Sequence, residues 1–96
     1  VLECVPAALA ELVTSRVSIP TIGIGAGAAC DGQILVYQDM LGMTSGFSPK
    51  FARHFAEVGD VMRKGFSDYI EAVGAGTFPA DSETFHSGDD VIKKLY

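Results

Sequence analysis

One carboxylate stands where carboxylates are scarce. Glu3 is flanked by Val1, Leu2, Cys4 and Val5, an apolar run that reads as part of a strand buried on both faces. An ionised carboxylate is almost never fully buried without a partner. Glu3 is therefore expected to face a cation, to bind a metal, or to open into a pocket as an acid or base. Spacing alone leaves a chemical role and a structural ion pair both open.

The second cluster is the run Gly23-Ile24-Gly25-Ala26-Gly27. With Ala28 it matches G-x-G-x-x-A, a relaxed dinucleotide fingerprint. That motif works only when a helix follows at once and turns its N–H groups to a pyrophosphate. Cys30-Asp31-Gly32 intervenes and a new apolar run starts by Gln33, so there is no room for that helix. The glycines read instead as points of close backbone packing beneath a ligand site.

Other polar residues signal less. His54 shares an apolar stretch with Phe51 and Phe55, and His86 is isolated in a loop-like segment. Neither has a second His, Cys or Asp at ligand spacing, so no metal ligand is assigned within this chain. Asp39 follows an apolar run and reads as a loop carboxylate. Lys50, beside Ser48-Pro49, could meet an anion at a helix start, with a solvated lysine as the ordinary alternative.

These residues need elements to position them. Val1–Val5 reads as a strand, followed by Pro6 at a helix start, where a missing N–H costs nothing. Leu9, Leu12, Val13 and Val17 then form one apolar stripe, closed by Pro20. Thr21–Gly25 and Gln33–Tyr37 are short apolar runs without polar alternation, as expected of strands covered on both faces. Ser48-Pro49 predicts a further helix carrying Phe51, Phe55 and Val58. Gly59-Asp60 predicts a break, and another helix runs to Gly74-Ala75-Gly76. A loop-like tail from Thr77 ends in a short helix within Asp89–Tyr96, its acids leading and its bases trailing. The division drawn is 1–76 for strands and helices and 77–96 for the tail. Strand–helix–strand with two-sided burial predicts an α/β fold on a parallel sheet, with ligands at the C-terminal strand ends.

Composition bounds the rest. The chain has 96 residues, 48% of them hydrophobic and 20% charged, which excludes disorder. A net charge of −5 and scattered basic residues argue against nucleic acid and anionic membranes as partners. No apolar run approaches the roughly 20 residues of a membrane span. The two cysteines, Cys4 and Cys30, read as free thiols in a reducing, cytoplasmic compartment. The opening inside an apolar run, and a mean hydropathy of +0.28, predict a piece of a longer polypeptide.

Leu2-Glu3-Cys4-Val5-Pro6, Ile19 through Gly27, Asp31 through Val36 and Pro49-Lys50-Phe51 occur in an order that resembles the ketopantoate hydroxymethyltransferases. The resemblance spans nearly the whole chain and fades beyond Thr77, leaving Gly88–Tyr96 as an expected extra. It implies the C-terminal part of a (β/α)₈ TIM barrel of the phosphoenolpyruvate/pyruvate type. Val1–Val5, Thr21–Gly25 and Ile34–Tyr37 would then be its sixth, seventh and eighth strands. A parallel connection between Gly25 and Gln33 would have to be much tighter than the usual crossover.

The resemblance also implies a reaction. The family moves a one-carbon unit from 5,10-methylenetetrahydrofolate to 3-methyl-2-oxobutanoate, giving 2-dehydropantoate for pantothenate and coenzyme A synthesis. Glu3 matches the glutamate that accepts the proton, and Mg²⁺ chelated by the 2-oxo acid would stabilise the enolate. The metal ligands and substrate lysine belong to sequence outside this chain. A homo-oligomeric ring, a decamer by resemblance, is implied, and a separate N-terminal chain could complete the barrel. The alternatives are another Mg²⁺-dependent, enolate-forming barrel lyase or aldolase, and an inactive structural fragment.

Overall fold

The computed structural model describes residues 1–95. Its element order is β1 (Leu2–Glu3), α1 (Ala7–Arg16), β2 (Ile22–Ile24), β3 (Gly32–Gln33), α2 (Tyr37–Met40), α3 (Val58–Ala75), a 3₁₀ turn (Asp81–Glu83) and α4 (Asp89–Ile92). The chain divides into two compact units, Val1–Met62 and Arg63–Tyr96.

In the first unit the three strands pair in the order β1-β2-β3, and both pairings are parallel. The α/β parallel architecture expected from the apolar runs is therefore present. The β2–β3 connection is the tight turn that the sequence demanded. Ile22 faces Gly32 and Gly23 faces Gln33 in register. Two left-handed glycines, Gly25 (φ 67°) and Gly27 (φ 81°), reverse the chain quickly enough, at conformations other residues rarely adopt. The Gln33 amide then donates to the Gly27 carbonyl at 2.9 Å and fastens the turn to β3.

The strands are shorter than the apolar runs. β3 was expected to continue to Tyr37. Its last ladder bond is Ile34 N–H to Gly23 O at 3.0 Å, after which Val36 turns (φ −63°, ψ 128°) into α2. The Ile34–Tyr37 run is therefore not strand, and Ile34, Val36 and Tyr37 are each about half exposed.

Helix α1 starts after Pro6 and has Arg16 in its last turn, where a cation suits the helix dipole. Its packed face differs from the Leu9/Leu12/Val13/Val17 stripe. Leu9 and Leu12 are each 50% exposed, while Ala10 is fully buried. Ala10, Val13 and Thr14 share one helix face at i, i+3, i+4 spacing. Thr14 belongs on it because its hydroxyl meets the Thr21 hydroxyl at 2.8 Å.

The helix expected from Ser48-Pro49 is a single turn, closed by Ala52 N–H to Pro49 O at 2.9 Å. The expected break at Gly59-Asp60 does not occur, since α3 runs unbroken from Val58 to Ala75. Its first donors are taken by loop carbonyls, Val58 N–H by Leu41 O at 2.9 Å and Gly59 N–H by Gly42 O at 3.2 Å. That capping by distant backbone is invisible to local sequence rules.

In the second unit α3 stops as the glycines predict. Gly76 is left-handed (φ 71°), and Thr77 N–H returns to Ala72 O at 3.0 Å. Tyr69 and Phe78 pack with ring centroids 5.5 Å apart. The expected terminal helix is present over Asp89–Ile92 with Asp89 and Asp90 in its first turn. Tyr96 lies outside the described residues. No helix among the described residues is long and apolar enough to cross a membrane.

Candidate functional site

The parallel sheet sets which side chains share a face. Glu3 pairs with Ile24 and Leu2 with Gly23, and successive residues alternate faces. Glu3, Ile22 and Ile24 therefore lie on one face, and Leu2, Thr21 and Gly23 on the other. Thr21 bonds to Thr14 of α1, so α1 covers the second face and Glu3 points away from it. Glu3 is also the last residue of β1, which places it at the C-terminal strand end where parallel α/β proteins hold their ligands.

Burial of Glu3 was expected from its apolar neighbours, and the structure corrects this. Glu3 is exposed, whereas Ile22 and Ile24 on the same face are half-buried. Its carboxylate makes no ion pair or hydrogen bond among those residues. The structural ion pair therefore finds no partner among the described residues.

Beside Glu3 in the sheet, the glycine run ends β2. An added methyl at Gly25 would stand 2.7 Å from the Phe51 ring, and one at Gly27 2.8 Å from Ala7 Cβ. Phe51 thus packs closely against Gly25 from a turn rather than from a helix. An open concavity of about 380 Å³ beside it is lined by Gly25, Gly27, Gln33, Ile34, Leu35 and Phe51. Lys50 joins Gly25, Gly27 and Phe51 around an adjoining hollow. The sequence placed Phe51 on a helix stripe and in the Pro49-Lys50-Phe51 motif, without assigning it to this hollow.

The remaining candidates are accounted for locally. Asp39 accepts a long hydrogen bond from the Thr44 hydroxyl at 3.4 Å. His54 bridges Glu57 at 3.0 Å and Ser48 at 3.4 Å, clasping an exposed loop. His86 meets Asp81 at 2.8 Å. Cys4 and Cys30 are free thiols. Among the described residues, no three His, Cys, Asp or Glu side chains gather as a metal site.

The model of the family described as ketopantoate hydroxymethyltransferase matches residues 1–81. The chain belongs to that family. Proteins named 3-methyl-2-oxobutanoate hydroxymethyltransferase are similar over all 96 residues, at 65% identity in Clostridium novyi (strain NT), 60% in Enterococcus faecalis and 58% in Clostridium beijerinckii. The chain spans 35% of the length of each. Because these ketopantoate hydroxymethyltransferase relatives align through residue 96, Gly88–Tyr96 is a shared segment and not an extra.

Proposed function

We propose that this chain is the C-terminal part of a (β/α)₈ barrel that transfers a hydroxymethyl group from 5,10-methylenetetrahydrofolate to 3-methyl-2-oxobutanoate, giving 2-dehydropantoate. The observation that carries the reading is Glu3 itself: an unpaired carboxylate at the C-terminal end of a parallel strand, in a chain 65% identical to a protein named for that reaction.

The hydrogen to be removed sits on carbon 3, beside the ketone. The Glu3 carboxylate takes that proton, and the electron pair of the broken C–H bond enters the enolate. The enolate carbon then bonds to the one-carbon unit while the two C–N bonds that hold it to the folate break. Water supplies the hydroxyl oxygen, and the proton taken by Glu3 and one from water go to the two folate nitrogens. A positioned base of this kind contributes roughly 10²–10⁴-fold. In this reading Ile22 and Ile24, which share the face of Glu3, supply apolar surface beside the reacting carbon.

Mg²⁺ would polarise the ketone when bound. The described residues offer no ligand set for it, so its ligands are expected elsewhere in the polypeptide and no step is derived through it. The site is proposed to work in a cytoplasmic homo-oligomeric ring.

The test is exchange of the C3 proton of 3-methyl-2-oxobutanoate with deuterated water, without folate, in the full-length enzyme. Glu3→Gln should lower exchange by roughly 10²–10⁴-fold and leave 2-oxo acid binding and the melting temperature nearly unchanged. Exchange at the wild-type rate would exclude Glu3 as the base.

A further inference from the structure

The residue after Glu3 is in an unusual conformation. Cys4 has φ 54° and is the one non-glycine residue with positive φ among the described residues. That left-handed region is sterically disfavoured for L-residues and is visited mainly by Gly, Asn and Asp. Cysteine has no such preference, so the surroundings must impose the conformation.

Two fixed points impose it. Cys4 N–H donates to Ile24 O at 2.9 Å, one ladder step beyond the Glu3–Ile24 pair. Pro6 (φ −52°, ψ 136°) opens α1 only two residues later, and Ala10 N–H returns to its carbonyl at 2.9 Å. Between the last ladder bond and the first helical bond the chain has only Cys4 and Val5 in which to turn. An extended Cys4 would carry the strand onward and move the helix start. The left-handed Cys4 stops β1 at Glu3 instead. Its thiol is exposed and free and makes no hydrogen bond among the described residues. Backbone outliers held by their surroundings concentrate where a reacting group must be positioned.

We propose that Cys4 is a positioning residue for Glu3: its left-handed backbone holds the Glu3 carboxylate at the strand end, and its thiol takes no part. The inference rests on Glu3 being the base.

The experiment is C3 proton exchange in the full-length enzyme, with kcat and KM for the 2-oxo acid resolved, and a thermal melt beside each variant. Cys4→Gly and Cys4→Asn accept positive φ and should stay within about 3-fold of wild type, as should Cys4→Ser, which removes only the thiol. Cys4→Val is β-branched and excluded from positive φ, and its kcat should fall roughly 10–10²-fold with KM nearly constant, the effect of misplacing a reacting group by about 1 Å. A wild-type rate in Cys4→Val overturns the proposal. So does a tenfold loss in Cys4→Ser, which would assign the role to the thiol. If Cys4→Val does not fold, the Gly and Asn variants still decide: a tenfold loss of kcat in both overturns the proposal, and retention supports it. Glu3→Gln run in parallel separates the two readings. If it retains exchange, the base assignment fails and this inference with it. If it loses exchange while Cys4→Val does not, only this inference fails.

Discussion

Thr21 and Asp31 grip each other across the turn that joins β2 to β3. Asp31 Oδ2 accepts the Thr21 backbone N–H at 2.7 Å and the Thr21 hydroxyl at 3.2 Å. In return the Asp31 N–H donates to Thr21 Oγ1 at 3.3 Å. Gly32 N–H adds a bond to Thr21 O at 3.0 Å, so both strands start from one clamp.

That clamp should be costly to remove. Thr21 is only 6% exposed, and a buried donor left without its partner costs about 1–3 kcal/mol. Asp31→Ala is expected to lower stability by about that amount in denaturant titration. Asp31→Asn, which keeps an acceptor for the Thr21 N–H, should lose less. Equal midpoints for wild type and Asp31→Ala would show that the clamp does not hold the turn.

Gly25 is expected to resist replacement for two separable reasons. A side chain there is strained at φ 67° and meets the Phe51 ring at 2.7 Å. Overpacking of this kind costs about 1–3 kcal/mol. Gly25→Ala should therefore destabilise, and adding Phe51→Ala should return the steric part while the backbone part remains. Strict additivity in a double-mutant cycle would mean that the ring and the glycine do not compete for space.

Residues 1–96 expressed alone should not form a tightly packed monomer. The buried hydrophobic residues are Ala10, Ala26 and Ala52, and no large side chain is fully buried among the described residues. Val61, Phe66 and Ile70 are each more than half exposed, and exposed apolar patches and strand edges promote association. Dye binding and a broad, non-cooperative melt are the expected results. A monodisperse monomer with a sharp transition would contradict them.

Assembly of the full-length enzyme should depend on the tail, most of all on Phe85. Phe78 already packs on Tyr69, whereas Phe85 is fully exposed at 101%. Deleting residues 77–96 should reduce the mass seen by light scattering, and Phe85→Ser should weaken the assembly in the same direction. An unchanged mass in both would remove the tail from the interface.

The sequence was a good guide wherever a local rule governs. Gly76 ended α3 where the glycines predicted, Pro6 marked the start of α1, and the apolar runs marked the positions of the three parallel strands. The motif around Glu3 carried the family as well, because residue types at fixed spacing survive without coordinates. It was a poor guide wherever a partner far along the chain governs. Gly59-Asp60 predicted a break, yet α3 runs through it, and its first turn is capped by Leu41 and Gly42 rather than by a neighbouring side chain.

What the sequence by itself determined is the chemical type of the site, a carboxylate on an apolar strand beside a glycine turn, together with the family. Only the tertiary structure decided how that carboxylate is held. Parallel pairing placed Glu3 level with Ile24 and on the face away from α1, and the short path to Pro6 forced Cys4 into a left-handed turn. Neither can be read from residue types, because face and backbone sign depend on where hydrogen-bond partners lie in space rather than on the side chains of the residues concerned.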